Sequence, residues 1–267
     1  MKILCPVDFS IASIDAVYFA AALLKKFEIK EITILHCSFP GDIAEIFDEA
    51  IEKQRKIIQE NLKNVMEKMG NLAPEISWEQ KLIYGNPLEE ISRFIKKNNY
   101  DLVIIGTKGL QNPKDRVFGS LTETLFENSK APILAIPQGY VFHHLNSVVL
   151  SIDEESISSE KVLHTFLDLV RKYDSNVMVL HVQDEDERDL ESNRDLDVFL
   201  KGLHYEYYAK SSEESLTKAI NEVCQDKSAD LLCMIHRDRG WMLNLVHRSL
   251  VKEELDQLSM PILILHD

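Results

Sequence analysis

A repeat runs through this chain. Val7-Asp8 returns as Ile152-Asp153, and Ile34-Leu35-His36 returns as Val179-Leu180-His181, both 145 residues later. Asp101-Leu102 returns as Asp230-Leu231, and Ala131-Pro132-Ile133-Leu134 as Met260-Pro261-Ile262-Leu263, both 129 residues later. The second copy is therefore 16 residues shorter between its second and fourth apolar segments. Such a chain folds as two similar units, and 267 residues suit two cores of about 130 each. Boundaries at 1–138 and 147–267 follow, with Gln138–Asn146 as connector.

Each copy reads as alternating strands and helices. In the first, Lys2–Val7 is a strand, followed by a helix from about Ile11 to Phe27 with Ala16, Phe19, Ala20 and Leu23 on one face. Ile32–Cys37 is a second strand, and a long helix runs from about Asp42 to Met69. Trp78–Tyr84 is a third strand; Asn86-Pro87 then pairs a helix N-cap with a first-turn proline, ahead of a helix reaching about Lys97. Strands at Leu102–Gly106 and Ile133–Ile136 bracket a last helix. The second copy repeats strands near Val148–Ile152, Val177–Val182, Leu203–Tyr208, Leu231–Ile235 and Ile262–His266. The fold class is α/β: two tandem open, mainly parallel five-stranded sheets with helices on both faces.

In such sheets ligands lie beyond the carboxyl ends of the strands, where adjacent crossovers diverge. Asp8, Cys37 and Gly106 all fall at strand ends of this kind. Gly106 also opens a spaced set, Gly106-x2-Gly109-x9-Gly119-Ser120, between an apolar strand and the helix begun by Ser120-Leu121-Thr122. Glycines there let backbone approach a bulky anion, and a helix N-terminus offers unbonded N–H groups. The placement points to a nucleotide phosphate site.

Composition narrows the partners. A net charge of −14 repels nucleic acid and anionic membrane surfaces. No stretch approaches the ~20 apolar residues of a membrane span, and the N-terminal segment breaks too early for a signal-peptide core. Cys5, Cys37, Cys224 and Cys233 are widely spaced, which fits reduced thiols and a cytoplasmic protein.

These residues resemble the universal stress protein family in tandem two-domain form. The resemblance rests on the glycine set Gly106, Gly109, Gly119 and Ser120, with Pro6-Val7-Asp8-Phe9-Ser10, Ile34-Leu35-His36 and Ala131–Pro137. It implies a Rossmann-like fold of the adenine-nucleotide α-hydrolase kind, and an ATP site (or one for ADP or AMP, with Mg²⁺) in the first half. Carried over by position, Pro6 and Asp8 would stand by the adenosine, and Cys37 and Ile105 would line the base pocket. Gly106 and Gly109 would face ribose and phosphates; Gly119, Ser120 and Leu121 would cradle phosphate. Cys37 stands where an aliphatic residue is more usual in the family. Lys108, Lys114 and Arg116, in or beside the loop, could offset phosphate charge.

The resemblance also implies that the halves pair through their fifth strands, with a homodimer possible. The second copy carries Ile235, Asp238 and Arg248 where the first has glycines, and only Ser249 matches Ser120. It is therefore expected not to hold ATP in the family's way.

The expected role is an ATP-binding, non-catalytic or weakly hydrolytic regulatory module, with no catalytic and no metal-binding residues assigned. Two alternatives stay open: a slow ATPase or phosphotransferase, and a nucleotide-free interaction module. Against the enzyme stand the missing G-x-x-x-x-G-K-[ST] loop and the lack of a fixed water-activating group. Other features have plainer readings. Asp8 could itself cap the first helix, in competition with Ser10. His36 and His181 recur in both halves, which favours a shared structural role over a soft-metal cluster of Cys5, His36 and Cys37. The stretch His236–Arg248 reads as packing or an interface, and Asp184-Glu185-Asp186-Glu187 as solvated charge.

Overall fold

In the computed structural model, the structure describes residues 1–28, 30–39, 48–107, 120–152, 157–183, 194–211, 216–237 and 260–267. The first half runs β1 (Lys2–Pro6), α1 (Ile11–Leu23), β2 (Glu31–Ser38), α2 (Asp48–Leu72), β3 (Ser77–Tyr84), α3 (Pro87–Lys97), β4 (Leu102–Thr107), α4 (Ser120–Asn128) and β5 (Ile133–Pro137). The second runs β6 (Ser147–Ile152), α5 (Glu160–Tyr173), β7 (Asn176–Gln183), α6 (Arg194–Phe199), β8 (His204–Ser211), α7 (Leu216–Asp226), β9 (Leu231–His236) and β10 (Ile262–His266). The α/β class and all ten expected strands are present.

The five strands of each half join into one sheet. Strand order is β3-β2-β1-β4-β5-β10-β9-β6-β7-β8, parallel within each half and antiparallel where β5 meets β10. There Ala135 pairs with Ile262 and Ile133 with Ile264. Two strand edges that would otherwise present unpaired N–H and C=O groups satisfy each other.

Side chains alternate between two apolar layers, as the pleat requires. Ile3, Cys5, Ile34, Ile104 and Ile136 join α1, α2 and α5 in one layer; Leu4, Leu35, Val103, Ile105 and Ile133 join α3, α4 and α7 in the other. Both layers continue across the β5–β10 junction, because Leu263 and Leu265 enter the first and Ile262 and Ile264 the second. Polar contacts reinforce the junction: the Tyr173 hydroxyl donates to the Leu23 carbonyl at 2.7 Å, and Thr165 Oγ1 to the Asp101 carbonyl at 3.0 Å.

Local signals in the sequence explain several element ends. Asn86 caps α3, its side-chain oxygen accepting from the Leu88 N–H at 3.0 Å, with Pro87 in the first turn. α1 stops earlier than expected: it ends at Leu23 and tightens into a 3₁₀ turn over Leu24–Lys26 before Phe27. The start expected for α2 at Asp42 lies outside the described residues. The 16-residue deficit of the second half falls where α2 spans 25 residues and its counterpart α6 only 6.

Candidate nucleotide site

Three strand ends stand side by side at the carboxyl rim of the first half. β1 lies between β2 and β4, so Pro6 is level with Leu35 on one side and follows the Leu4–Val103 pair on the other. The chain leaves β1 toward β2 on one side while β4 lies on the other, and a crevice opens at such a reversal.

The turn after β1 is closely specified. Ser10 caps α1, its Oγ accepting from the Ser13 N–H at 3.3 Å. Asp8 serves that cap from one step back: its Oδ1 accepts from the Ser10 N–H at 3.0 Å and from the Ser10 hydroxyl. Of the two candidate caps, Ser10 takes the position. Desolvation raises the Asp8 pKa, but hydrogen bonds, from Ser10 first and then from Ser13 and the backbone of Asp8 itself, together outweigh it and leave the carboxyl below its ordinary value. Asp8 is exposed and charged at neutral pH.

Cys37, Ile105 and Leu121 lie on the same face of the sheet. Ile105 is buried in the α3–α4 layer, and Cys37 and Leu121 pack against that layer half-buried. Burial first, and the Glu90 charge second, push the Cys37 thiol above its usual pKa. It is therefore a neutral S–H group, 3.4 Å from the Gly85 carbonyl it donates to. Cys5 lies in the opposite layer, fully buried, so the sheet separates it from Cys37. Among the described residues no group of three or more His, Cys, Asp or Glu could hold a metal ion.

Gly106 has a packing reason to be glycine. A Cβ built there would lie 2.0 Å from the Ala12 carbonyl oxygen and 2.7 Å from the Ser13 nitrogen. The missing side chain therefore points at the first turn of α1, not into the crevice. Close helix–strand approach is one of the known uses of glycine in such folds. Ser120 and Leu121 begin α4, with Glu123 in its first turn. Gly109, Gly119 and the basic residues Lys108, Lys114 and Arg116 lie outside the described residues.

His36, for which the sequence favoured a structural role, has partners that the sequence did not name. Its Nδ1 lies 2.8 Å from the Val7 carbonyl oxygen, which can only accept, so Nδ1 carries the proton. The Phe9 ring stacks on the imidazole with centroids 4.6 Å apart. Recurrence of histidine at two strand ends was a signal, but the partners lie about thirty positions away in sequence and leave no local trace.

The second half fills the matching rim with its own side chains. Ile235 stands at the Gly106 position, 5% exposed, in one layer with Ile157 and Leu163. Beside it His236 packs edge-on against His266, with ring centroids 5.6 Å apart. Arg237 and Asp267 form a buried ion pair at 3.2 Å, and Asp267 also accepts from the Ser158 N–H at 3.1 Å. Asp238, Arg248 and Ser249 lie outside the described residues.

An α/β sheet with this strand order, its helices on both faces, defines a Rossmann-like fold. The sequence profile of the universal stress protein family matches residues 1–137, and the chain belongs to that family. It is similar to universal stress protein MJ0577 of Methanocaldococcus jannaschii: 28% identical over 152 residues, covering 51% of this chain and 93% of that protein. Universal stress protein MJ0531 of the same organism is 29% identical over 140 residues, covering 51% and 81%. Over nearly the whole length, the fold matches a universal stress protein from Archaeoglobus fulgidus. The TM-score is 0.79 at 21% identity, with 98% of this chain and 95% of that one covered. No described helix is long and apolar enough to cross a membrane.

Proposed function

We propose that the first half, residues 1–138, binds an adenine nucleotide, ATP with Mg²⁺ in the first instance, and that the chain works as a regulatory module and not a rapid enzyme. The observation supporting this reading is that Cys37, Ile105 and Leu121 share one face of the sheet and that the exposed Asp8 carboxylate follows β1, the strand between β2 and β4. The apolar group suits a base. Asp8, charged and exposed, suits the hydroxyls of a ribose, because a carboxylate accepts strong hydrogen bonds. The first turn of α4 offers Ser120 and backbone N–H groups to phosphate, with Gly109 and Gly119 completing the cradle. Magnesium would be held chiefly by the triphosphate and would offset its charge.

In this reading residues 147–267 form a second domain that binds no nucleotide and is joined to the first through β5 and β10. The chain acts in the cytoplasm in the stress response. The pairing of halves leaves β3 and β8 as the borders through which a homodimer would add.

A second reading has a specific observation behind it. Gly106 is accounted for by α1 alone, and Glu123 already supplies negative charge to the start of α4. A nucleotide-free interaction module would keep both features. Mass spectrometry of small molecules released from the purified full chain separates the two, together with thermal shift in ATP and Mg²⁺. Binding at a ligand concentration of 100 Kd stabilises by about 2.7 kcal/mol. In Asp8→Asn the affinity should fall roughly ten-fold or more, the worth of a hydrogen bond to a charged group. A chain that releases no adenine nucleotide and shows no shift belongs to the second reading.

A further inference from the structure

We propose that His36 is a positioning residue for the Asp8 carboxylate, fixing its direction before any ligand arrives by gripping the residues on either side of it. Its consequence for affinity rests on the nucleotide reading above; its consequence for Asp8 does not.

The geometry starts at Phe9. Its φ is 65°, in the left-handed region that a bulky L-residue seldom occupies. A non-glycine residue held there is strained and persists only when its surroundings hold it. His36 supplies that hold twice. Its Nδ1–H donates to the Val7 carbonyl at 2.8 Å, and its ring stacks on Phe9 with 30° between the planes. Val7 and Phe9 flank Asp8 directly. Val7 is held once more by the neighbouring residue on β2, its N–H donating to the Leu35 carbonyl at 2.8 Å.

The end of β2 thus grips the turn before and after the carboxylate. Downstream, Asp8 bonds the Ser10 N–H and hydroxyl, and Ser10 caps α1. A chain of contacts leads from β2 through His36 to Val7 and Phe9, then to Asp8, Ser10 and α1. If the grip is lost, the left-handed turn relaxes, the Ser10 donors move away, and the carboxylate loses both its direction and the hydrogen bonds that favour its charge. A group held in place in advance spares a ligand the cost of ordering it.

Three substitutions separate the two parts of the grip. His36→Asn keeps an N–H donor near the Nδ1 position, His36→Phe keeps a ring against Phe9, and His36→Ala keeps neither. The first measurement is a carboxyl ¹³C titration of Asp8 in the ligand-free full chain. The wild-type midpoint should lie below the ordinary carboxylate value, rise by about half a unit or more in His36→Ala and His36→Phe, and return in His36→Asn. The second is calorimetric titration with ATP and Mg²⁺. Affinity should fall about ten-fold in His36→Ala and recover to within about three-fold of wild type in His36→Asn.

An Asp8 midpoint unchanged in folded His36→Ala overturns the proposal. If that variant does not fold, an unchanged midpoint in folded His36→Phe does the same. If the midpoint moves as expected while the wild type takes up no ATP, the positioning role stands and the nucleotide reading falls. If the wild type binds ATP and the midpoint does not move, the reverse holds.

Discussion

Gly106 and Ile235 occupy the same place in the two halves, and each suits only its own. At Gly106 the sheet is bare, and the first turn of α1 comes so near that a Cβ would sit 2.0 Å from the Ala12 carbonyl oxygen. At Ile235 a buried side chain stands instead, in one apolar layer with Ile157 and Leu163. One residue type decides whether helix backbone or side chain covers the strand end. The rim follows suit: an exposed carboxylate turn in the first half, and the buried Arg237–Asp267 pair in the second. The lesson is that a repeat can keep its strands while the packing beside one strand end changes.

The largest test of that contrast is Gly106→Ala. No flexible side chain can yield to the new methyl, because its neighbours are backbone, so the cost should reach or pass the ~3 kcal/mol upper end of overpacking. Urea unfolding monitored by circular dichroism reads it, and an unaltered midpoint would mean α1 does not sit where described. The reciprocal change, Ile235→Ala, opens a cavity in place of a clash and should cost about 3 kcal/mol by the same measurement. A loss well under 1 kcal/mol would show that the second half has room to collapse there.

Next comes pH. Burial lowers the His266 pKa from 6.5 to about 4, with the Phe126 carbonyl contact opposing and nearby His236 assisting. The unfolded chain then takes up the proton first. The stabilisation is complete above about pH 6.5 and is lost as pH falls toward 4, amounting to roughly 3 kcal/mol. His266→Phe should flatten that acid limb of the Tm–pH curve, and an equally steep limb in the variant would assign it elsewhere. The smallest effect belongs to Ser10→Ala, which should cost about 1 kcal/mol through the lost cap. A loss below a few tenths would mean that Asp8 caps α1 without Ser10.

The strands were legible because each is a short apolar run, and the pairing of Asn86 with Pro87 marked α3 through local chemistry. The short α6 (Arg194–Phe199) was not, because it follows an acidic stretch and lacks a long periodic face. The single ten-stranded sheet could not be read from local pattern, since the choice of neighbour for an edge strand is tertiary. Gly106 was misleading in one respect. Spacing marked it as special, but only coordinates reveal that its vacant side faces Ala12. Ile105 and Leu121 were named through the family resemblance, and Cys37 through it and its strand end, whereas the contacts of His36 to Val7 and Phe9 depend on how β2 lies against β1.

The antiparallel meeting of β5 and β10 turns the two copies head to tail, so the carboxyl ends of their strands lie at opposite borders of the sheet. Whatever occupies the first of those borders has no line of sight to the second; any influence must travel through the shared slab of strands. Because both partners of that seam belong to one polypeptide, dilution cannot part them, and the contact forms at the same strength in a scarce protein as in an abundant one.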